Sequence, residues 1–242
     1  MKDVAYDIIY EHESTHWWYR VRRHIVGSIL RTKAQKYSRP LNILDIGCGT
    51  GLLMKEMGRY GQVEGVDISE RAVAYCKQRG LSPVVGSADA LPFKDNTFDI
   101  AVILDVLEHL PDDKKGCEEL YRVLAQGGSA VIAVPAFMFL WSVTDEVSNH
   151  YRRYTKKEII ACLKTAGFSI ERATYFNTFL FLPILAVRSA VRLFRIPMKS
   201  ENTVGGPLIN TSLYSIFSAE SKLLPYVNYP FGVSILIIAS KS

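Results

Sequence analysis

Leu41-Asn42-Ile43-Leu44-Asp45-Ile46 runs directly into Gly47-Cys48-Gly49-Thr50-Gly51, and Leu52, Leu53, Met54 and Met57 follow at helical spacing. The apolar run suits a central parallel strand, so the glycines occupy a strand-to-helix turn. Alternating glycines there let a ligand touch bare backbone, which side chains would block. A dinucleotide fingerprint reads G-x-G-x-x-G/A. Here the third glycine comes one residue early and Leu52 follows it. Asp45 at the strand end would repel a pyrophosphate but attract an ammonium group, which points to a ligand carrying an amino-acid moiety.

In these residues the chain resembles motif I of the class I S-adenosylmethionine (SAM) methyltransferases. The resemblance continues downstream. Val63-Glu64-Gly65-Val66-Asp67 reads as a short strand ending in an acid, about 20 residues after the glycines, where a carboxylate reaches ribose hydroxyls. Gly86-Ser87-Ala88-Asp89-Ala90-Leu91-Pro92-Phe93 resembles the family's third-strand loop, which implies that Asp89 accepts from an adenine amino group while Ala88 and Ala90 line the ring. Phe98 to Leu104 gives a fourth strand, and Tyr121 to Gly128 resembles the helix-to-turn segment before the fifth. Taken singly, the glycines could be a tight turn, Asp67 an N-cap for a helix over Ser69 to Arg79, and Asp89 a turn former. Four segments in the family's order carry more weight than any one of them. The resemblance implies a SAM site formed by Asp45, Gly47, Cys48, Gly49, Gly51, Asp67, Ile68, Ala88, Asp89, Ala90, Leu104 and Asp105, with S-adenosylhomocysteine (SAH) as product. A nucleotide-binding oxidoreductase and a fold that binds cofactor without catalysis are the alternatives.

The expected fold is an α/β, Rossmann-like, doubly wound sheet of seven strands, mostly parallel with the last antiparallel. A single domain over 1–242 divides into a helical lead or lid over 1–39, a SAM-binding core over 40–175 and 231–242, and an apolar helical insertion or cap over 176–230. With 242 residues and 48% hydrophobic composition the chain has ample core. The formal net charge of +5 is spread over separate clusters: Arg20, Arg22 and Arg23; Arg152 and Arg153; Arg188, Arg192 and Arg195. Such dispersion gives no contiguous nucleic-acid groove, so no nucleic-acid partner is expected. Cys48, Cys76, Cys117 and Cys162 form no C-x-x-C pair, which argues against structural zinc and a disulfide framework. Together with an N-terminus lacking an apolar signal region, they lead to an expectation of a cytoplasmic protein.

Methyl transfer is an in-line displacement, so the protein must bind SAM, aim a nucleophile and, for oxygen or nitrogen, remove its proton. Leu104 to Pro111 falls at the fourth strand's carboxyl end, and His109 there is the candidate general base. His150 should return over the same end on the loop after Val131 to Val134, giving a second catalytic candidate. Glu108 and His109 could equally only shape the cofactor loop. Asp105, Glu108, His109 and His150 would also make an acceptable hard-metal set. That set resembles the ligands of some quinone-precursor O-methyltransferases, with Asp105 where those have a glutamate; no metal ligand is assigned from it. The paired Trp17 and Trp18 must pack on something, and either Arg22 or Arg23 would serve a cofactor carboxylate.

Residues 176–230 separate the sixth strand from the last, Gly232 to Ala239. Pro183 interrupts the apolar run and Arg188 ends it short of the ~20 residues a bilayer span needs. A cover for the sheet edge, a hydrophobic substrate cap and peripheral membrane contact through residues 176–195 all fit such a segment. The acceptor implied is a small molecule, hydrophobic or amphipathic, methylated on oxygen.

Overall fold

Leu41 and Ile43 to Ile46 are buried, which is why their apolar run is nearly continuous. They form β1 (Leu41–Ile46), which pairs in parallel with β2 (Gly61–Asp67) on one side and β4 (Phe98–Leu104) on the other. The computed structural model describes residues 3–194 and 206–242; Arg195 lies outside them. Short β3 (Val84–Val85) extends one side, and β5 (Leu124–Pro135), β6 (Ser169–Phe176) and β7 (Ser234–Ser240) complete seven strands in the order β3-β2-β1-β4-β5-β7-β6. β7 runs antiparallel to both β5 and β6 while the other pairings are parallel. This is the doubly wound, Rossmann-like arrangement the sequence implied.

The helices in chain order are α1 (Asp3–His12), α2 (Trp17–Ala34), α3 (Leu52–Met57), α4 (Glu70–Gln78), α5 (Asp113–Val123), α6 (Val143–Val147), α7 (Lys156–Thr165), α8 (Phe181–Leu193) and α9 (Pro207–Leu223). Crossovers between parallel strands carry helices to the sheet faces, and the carboxyl ends of β1, β2, β4 and β5 share one rim.

Three local expectations are corrected. The cap of α4 is Ser69, whose hydroxyl accepts from the Ala72 N–H, so Asp67 is freed from that duty. The fifth strand starts at Leu124 rather than Val131, because the pairing slips from Phe98–Leu124 to Ile100–Ser129 around Gly127 at φ 77°. Pro183 does not interrupt a helix: it is the third residue of α8, where a backbone N–H has no intrahelical partner to lose. Among the described residues no helix is long and apolar enough to cross a membrane.

α8 and α9 fill the insertion. Trp18 stacks on Phe176 at 5.8 Å and on Phe217 of α9 at 5.4 Å, and the Trp17 N–H donates to Asn210 Oδ1 at 2.9 Å. The two tryptophans therefore join the lead to the insertion, and together they roof the strand ends.

Candidate active site

At the end of β1 the chain turns through Gly47 (φ 71°), Gly49 (φ 55°) and Gly51 (φ 86°). A Cβ on Gly47 would stand 2.3 Å from Val106 Cγ2, whereas one on Gly49 would meet nothing within 4 Å. Gly47 is thus required by close packing beneath the loop, and Gly49 faces open space. The N–H groups of Gly47 and Cys48 donate to Val66 O at 2.8 and 3.1 Å, tying the loop to β2. Cys76 Sγ donates to Gly49 O at 3.2 Å from below.

Two acids flank this loop. Asp45 is 3% exposed and its Oδ2 has no hydrogen-bond partner among the described residues. Burial, then the charge of Asp67, pushes its carboxyl up to about 7. A buried carboxylate in that state gains from a ligand cation. Asp67 accepts from Gly49 N at 2.9 Å, Ser69 N at 2.9 Å and the Tyr6 hydroxyl at 3.1 Å. Burial still raises it despite those bonds.

α1 closes on the same loop. Glu13, just beyond it, accepts from the Thr50 hydroxyl at 2.5 Å and pairs with Arg79 at 2.6 Å. Of the two arginines proposed for a ligand carboxylate, Arg22 pairs with Asp105, while Arg23 pairs with Glu56 at 3.0 Å and donates to Glu13 O at 2.5 Å. Both line the cavity.

That cavity measures about 1000 Å³ and takes in Asp45, Gly47, Cys48, Gly49, Asp67, Ile68, Ala88, Leu104, Asp105, His109 and His150. Three of the expected residues do not line it. Gly51 caps α3 under Cys76 and Leu81, Asp89 is held by the Ser87 hydroxyl within its own turn, and Ala90 closes that turn in a bridge to Ser87. The Ser87 hydroxyl occupies Oδ1 of Asp89 and leaves its second carboxylate oxygen able to accept elsewhere; Ala88 is at the cavity wall.

The rim is strained where strands end. Asp105 (φ 55°), Phe137 (φ 57°) and Asn177 (φ 59°) lie just beyond β4, β5 and β6, and a positive φ at a residue other than glycine is uncommon. Asp105 and Asn177 line the cavity, and Asn177 Oδ1 is buried without a hydrogen-bond partner among the described residues.

At the β4 end, a single turn over Leu107–His109 brings His109 to His150, ring centroids 4.5 Å apart and nearly perpendicular. His150 Nδ1 lies 2.8 Å from Asp145 Oδ1, and Asp145 is gripped by Arg153 at 2.8 and 2.9 Å and by Ser142 N at 2.8 Å. Burial opposes ionisation of Asp145, yet these partners hold it well below the usual carboxylate range. Burial, then the neighbouring His150, pushes His109 down to about 4, so its imidazole is neutral at physiological pH. Glu108 is fully buried, its oxygens have no hydrogen-bond partner among the described residues although His150 Nε2 stands 4.0 Å from Oε1, and burial followed by the charge of Asp105 raises it well above its ordinary value.

Ligand atoms of Glu108, His109 and His150 all lie within 4.8 Å of one another, close enough to hold one cation. Asp105 is not in that cluster. Its φ of 55° and its pairing with Arg22 turn it away, which corrects the four-residue set read from the sequence.

Sequence reasoning missed Tyr6, Glu13, Asp145 and Asn177. Asp145 had a local signal, since Ser142-Val143-Thr144-Asp145 reads as a capping box, which the structure shows at α6. Tyr6, Glu13 and Asn177 carried none, because only long-range folding brings them to the loop.

A family model described as a methyltransferase domain matches residues 44–132. An uncharacterized protein of Methanocaldococcus jannaschii is 35% identical over 138 residues, covering 54% of this chain and 66% of that protein. The 2-methyl-6-phytyl-1,4-hydroquinone methyltransferase 2, chloroplastic, of Oryza sativa subsp. japonica is 29% identical over 171 residues, covering 66% and 47% respectively. The chain thus spans about half to two thirds of the length of these curated relatives. Among solved structures, an S-adenosylmethionine dependent methyltransferase from Mesorhizobium loti superposes with TM-score 0.57 at 17% identity, over 88% of this chain and 96% of that one. At such identity the likeness speaks for the fold alone.

Proposed function

We propose that this chain, in which residues 44–132 match a methyltransferase domain and whose fold is that of a SAM-dependent methyltransferase, moves a methyl group from SAM to an oxygen of a small hydrophobic or amphipathic acceptor. The observation that carries this reading is the placement of Asp45 and His109 on one cavity: a buried acid whose Oδ2 has no hydrogen-bond partner among the described residues, at one end of the glycine loop, and a neutral imidazole beyond β4.

The residues present fit the cofactor. Asp45 would face the ammonium group, Gly47 to Gly49 would admit the amino-acid moiety against bare backbone, and Asp67 would accept from the ribose hydroxyls. Ile68 and Ala88 would border the adenine. When bound, SAM supplies an electrophilic methyl group on a sulfonium. The chain's own part is orientation and proton removal: His109 takes the acceptor's proton, and α1, α2, α8 and α9 exclude water from above. Asp145 orients His150, which backs the His109 ring. The reading is tested by incubating the protein with SAM and a panel of phenolic and hydroxylated acceptors, with SAH formation and acceptor mass as readouts. Methylated acceptor with stoichiometric SAH supports it; SAH binding without any turnover would leave a cofactor-binding protein instead.

A second reading has its own observation. Glu108 is buried, has no hydrogen-bond partner among the described residues and is clustered with His109 and His150, which favours a cation-assisted transfer to a catechol- or hydroquinone-type oxygen. In that case the cation would hold and acidify the acceptor hydroxyl, and His109 would serve as ligand rather than base. The likeness to a protein named as a hydroquinone methyltransferase supports a hydroquinone-type acceptor, and bears on neither the methylated atom nor the cation. Cytoplasmic placement, and membrane contact through 176–195, stay proposals of the sequence.

A further inference from the structure

α8 turns one face along the cavity for most of its length. Leu180 at its cap, then Ile184, Val187 and Val191 at helical spacing, line the same cavity as His109, and Ile209 and Leu213 of α9 line it too. From Ile184 to Val191 the helix rises about 10 Å. The wall so formed is apolar and not fully covered: Val187 is 57% exposed although it lines the cavity. Arg188 and Arg192 line the cavity beside these apolar residues, and each is anchored to the loop after β5, Arg188 donating to Leu140 O at 2.7 Å and Arg192 to Trp141 O at 2.7 Å. No acid of α8 or α9 lines the cavity among the described residues.

Volume bears on what covers this wall. About 1000 Å³ is the upper end of what one drug-sized ligand fills. The glycine loop, Asp67 and Ala88 account for the cofactor's part of it, and the α8 wall is tied through Arg188 and Arg192 to Leu140 and Trp141, on the loop that carries His150 to His109. A wholly compact acceptor would leave that wall wet, at a cost proportional to the apolar area exposed.

We propose, resting on the methyl-transfer reading, that the acceptor carries an apolar tail of about 10 Å or more, seated along Ile184, Val187 and Val191 with Ile209 and Leu213 opposite, while its nucleophilic head reaches His109. α8 is thereby the element that selects the substrate by tail, and its two arginines fix the helix to the loop after β5.

The test uses the full chain saturated with SAH and a series of 4-n-alkylphenols from butyl to dodecyl, titrated by calorimetry. Affinity is expected to rise about fourfold per added methylene, the equivalent of about 0.8 kcal/mol, until the chain outgrows the wall, and then to level off. Val191→Trp should bring the long-chain phenols down at least tenfold toward the butyl value with SAH affinity unchanged. Leu182→Trp, on a residue of α8 outside the cavity wall, should leave the series as it was. Affinity independent of chain length in the wild-type protein, with SAH bound normally, overturns the tail proposal alone and needs no variant to fold. Absence of SAH binding in the same cell overturns the methyltransferase reading and the tail proposal with it.

Discussion

The Tyr6 hydroxyl donates to Oδ1 of Asp67 at 3.1 Å, so the first helix closes directly on the acid at the end of β2. Asp67 also accepts from Gly49 N and Ser69 N, which fixes its carboxylate at the mouth of the glycine loop. Hydrogen bonds to a charged group are worth about 1.5–3 kcal/mol. Asp67→Ala is therefore expected to weaken SAH about 10- to 100-fold in calorimetry. Tyr6→Phe, which leaves the carboxylate and its two backbone donors in place, should cost less than Asp67→Ala; an Asp67→Ala protein that binds SAH normally would remove the ribose assignment.

Asp45 gives the pH dependence. Its carboxyl stands at about 7 in the folded chain against 3.8 as the ordinary value. A raised folded-state value means stability fully present below the ordinary value and lost as pH rises through 7. Relative to the wild type, Asp45→Asn should therefore gain thermal stability progressively from about pH 4 to pH 7 and then level off, by at most about 4 kcal/mol at 1.36 kcal/mol per unit. SAM affinity should move the other way: a cation beside Asp45 favours its ionised form, so wild-type binding tightens as pH rises through 7 while Asp45→Asn stays weak and flat. A melting-temperature difference that does not change with pH would contradict this.

His109 stands at about 4, and so is already neutral by pH 6. kcat/KM should show no loss attributable to this group between pH 8 and pH 6, with its acid limb only near pH 4. His109→Ala is expected to lower kcat about 100-fold or more, within the range for a positioned base, at unchanged SAH affinity. Normal turnover in the variant would remove the base.

The cation reading separates cleanly from the metal-free one. If Glu108, His109 and His150 hold a divalent ion, prolonged dialysis against a chelator abolishes turnover and Mg²⁺ or Zn²⁺ restores it, and Glu108→Gln abolishes the restoration. Activity indifferent to the chelator leaves His109 as a base and retires the ion.

The fold was legible because the informative residues are local. A buried strand must be continuously apolar, a turn touching a ligand must be glycine, and both features sit within the eleven residues Leu41 to Gly51. The acids Asp45 and Asp67 were legible for the same reason, each lying at a strand end. What could not be read comes from distant parts of the chain. Tyr6 reaches Asp67 across 61 positions, and Asn177 enters only because β6 lies beside β7. Asp89 was placed by the family pattern of its loop alone, and the Ser87 hydroxyl two residues away donates to one of its oxygens. The metal set was overdrawn at Asp105, whose positive φ and pairing with Arg22 no spacing argument reveals. Pro183 looked like a break because its position within a helix, rather than its presence, decides what it does.

Calorimetric titration of the unliganded protein with SAH, and separately with NADH, tests the cofactor site most directly. Saturable heat with SAH at one equivalent, reduced in Asp67→Ala and absent with NADH, is the expected result. Heat with NADH and none with SAH would contradict the assignment of Asp45, the glycine loop and Asp67 to an adenosyl amino acid.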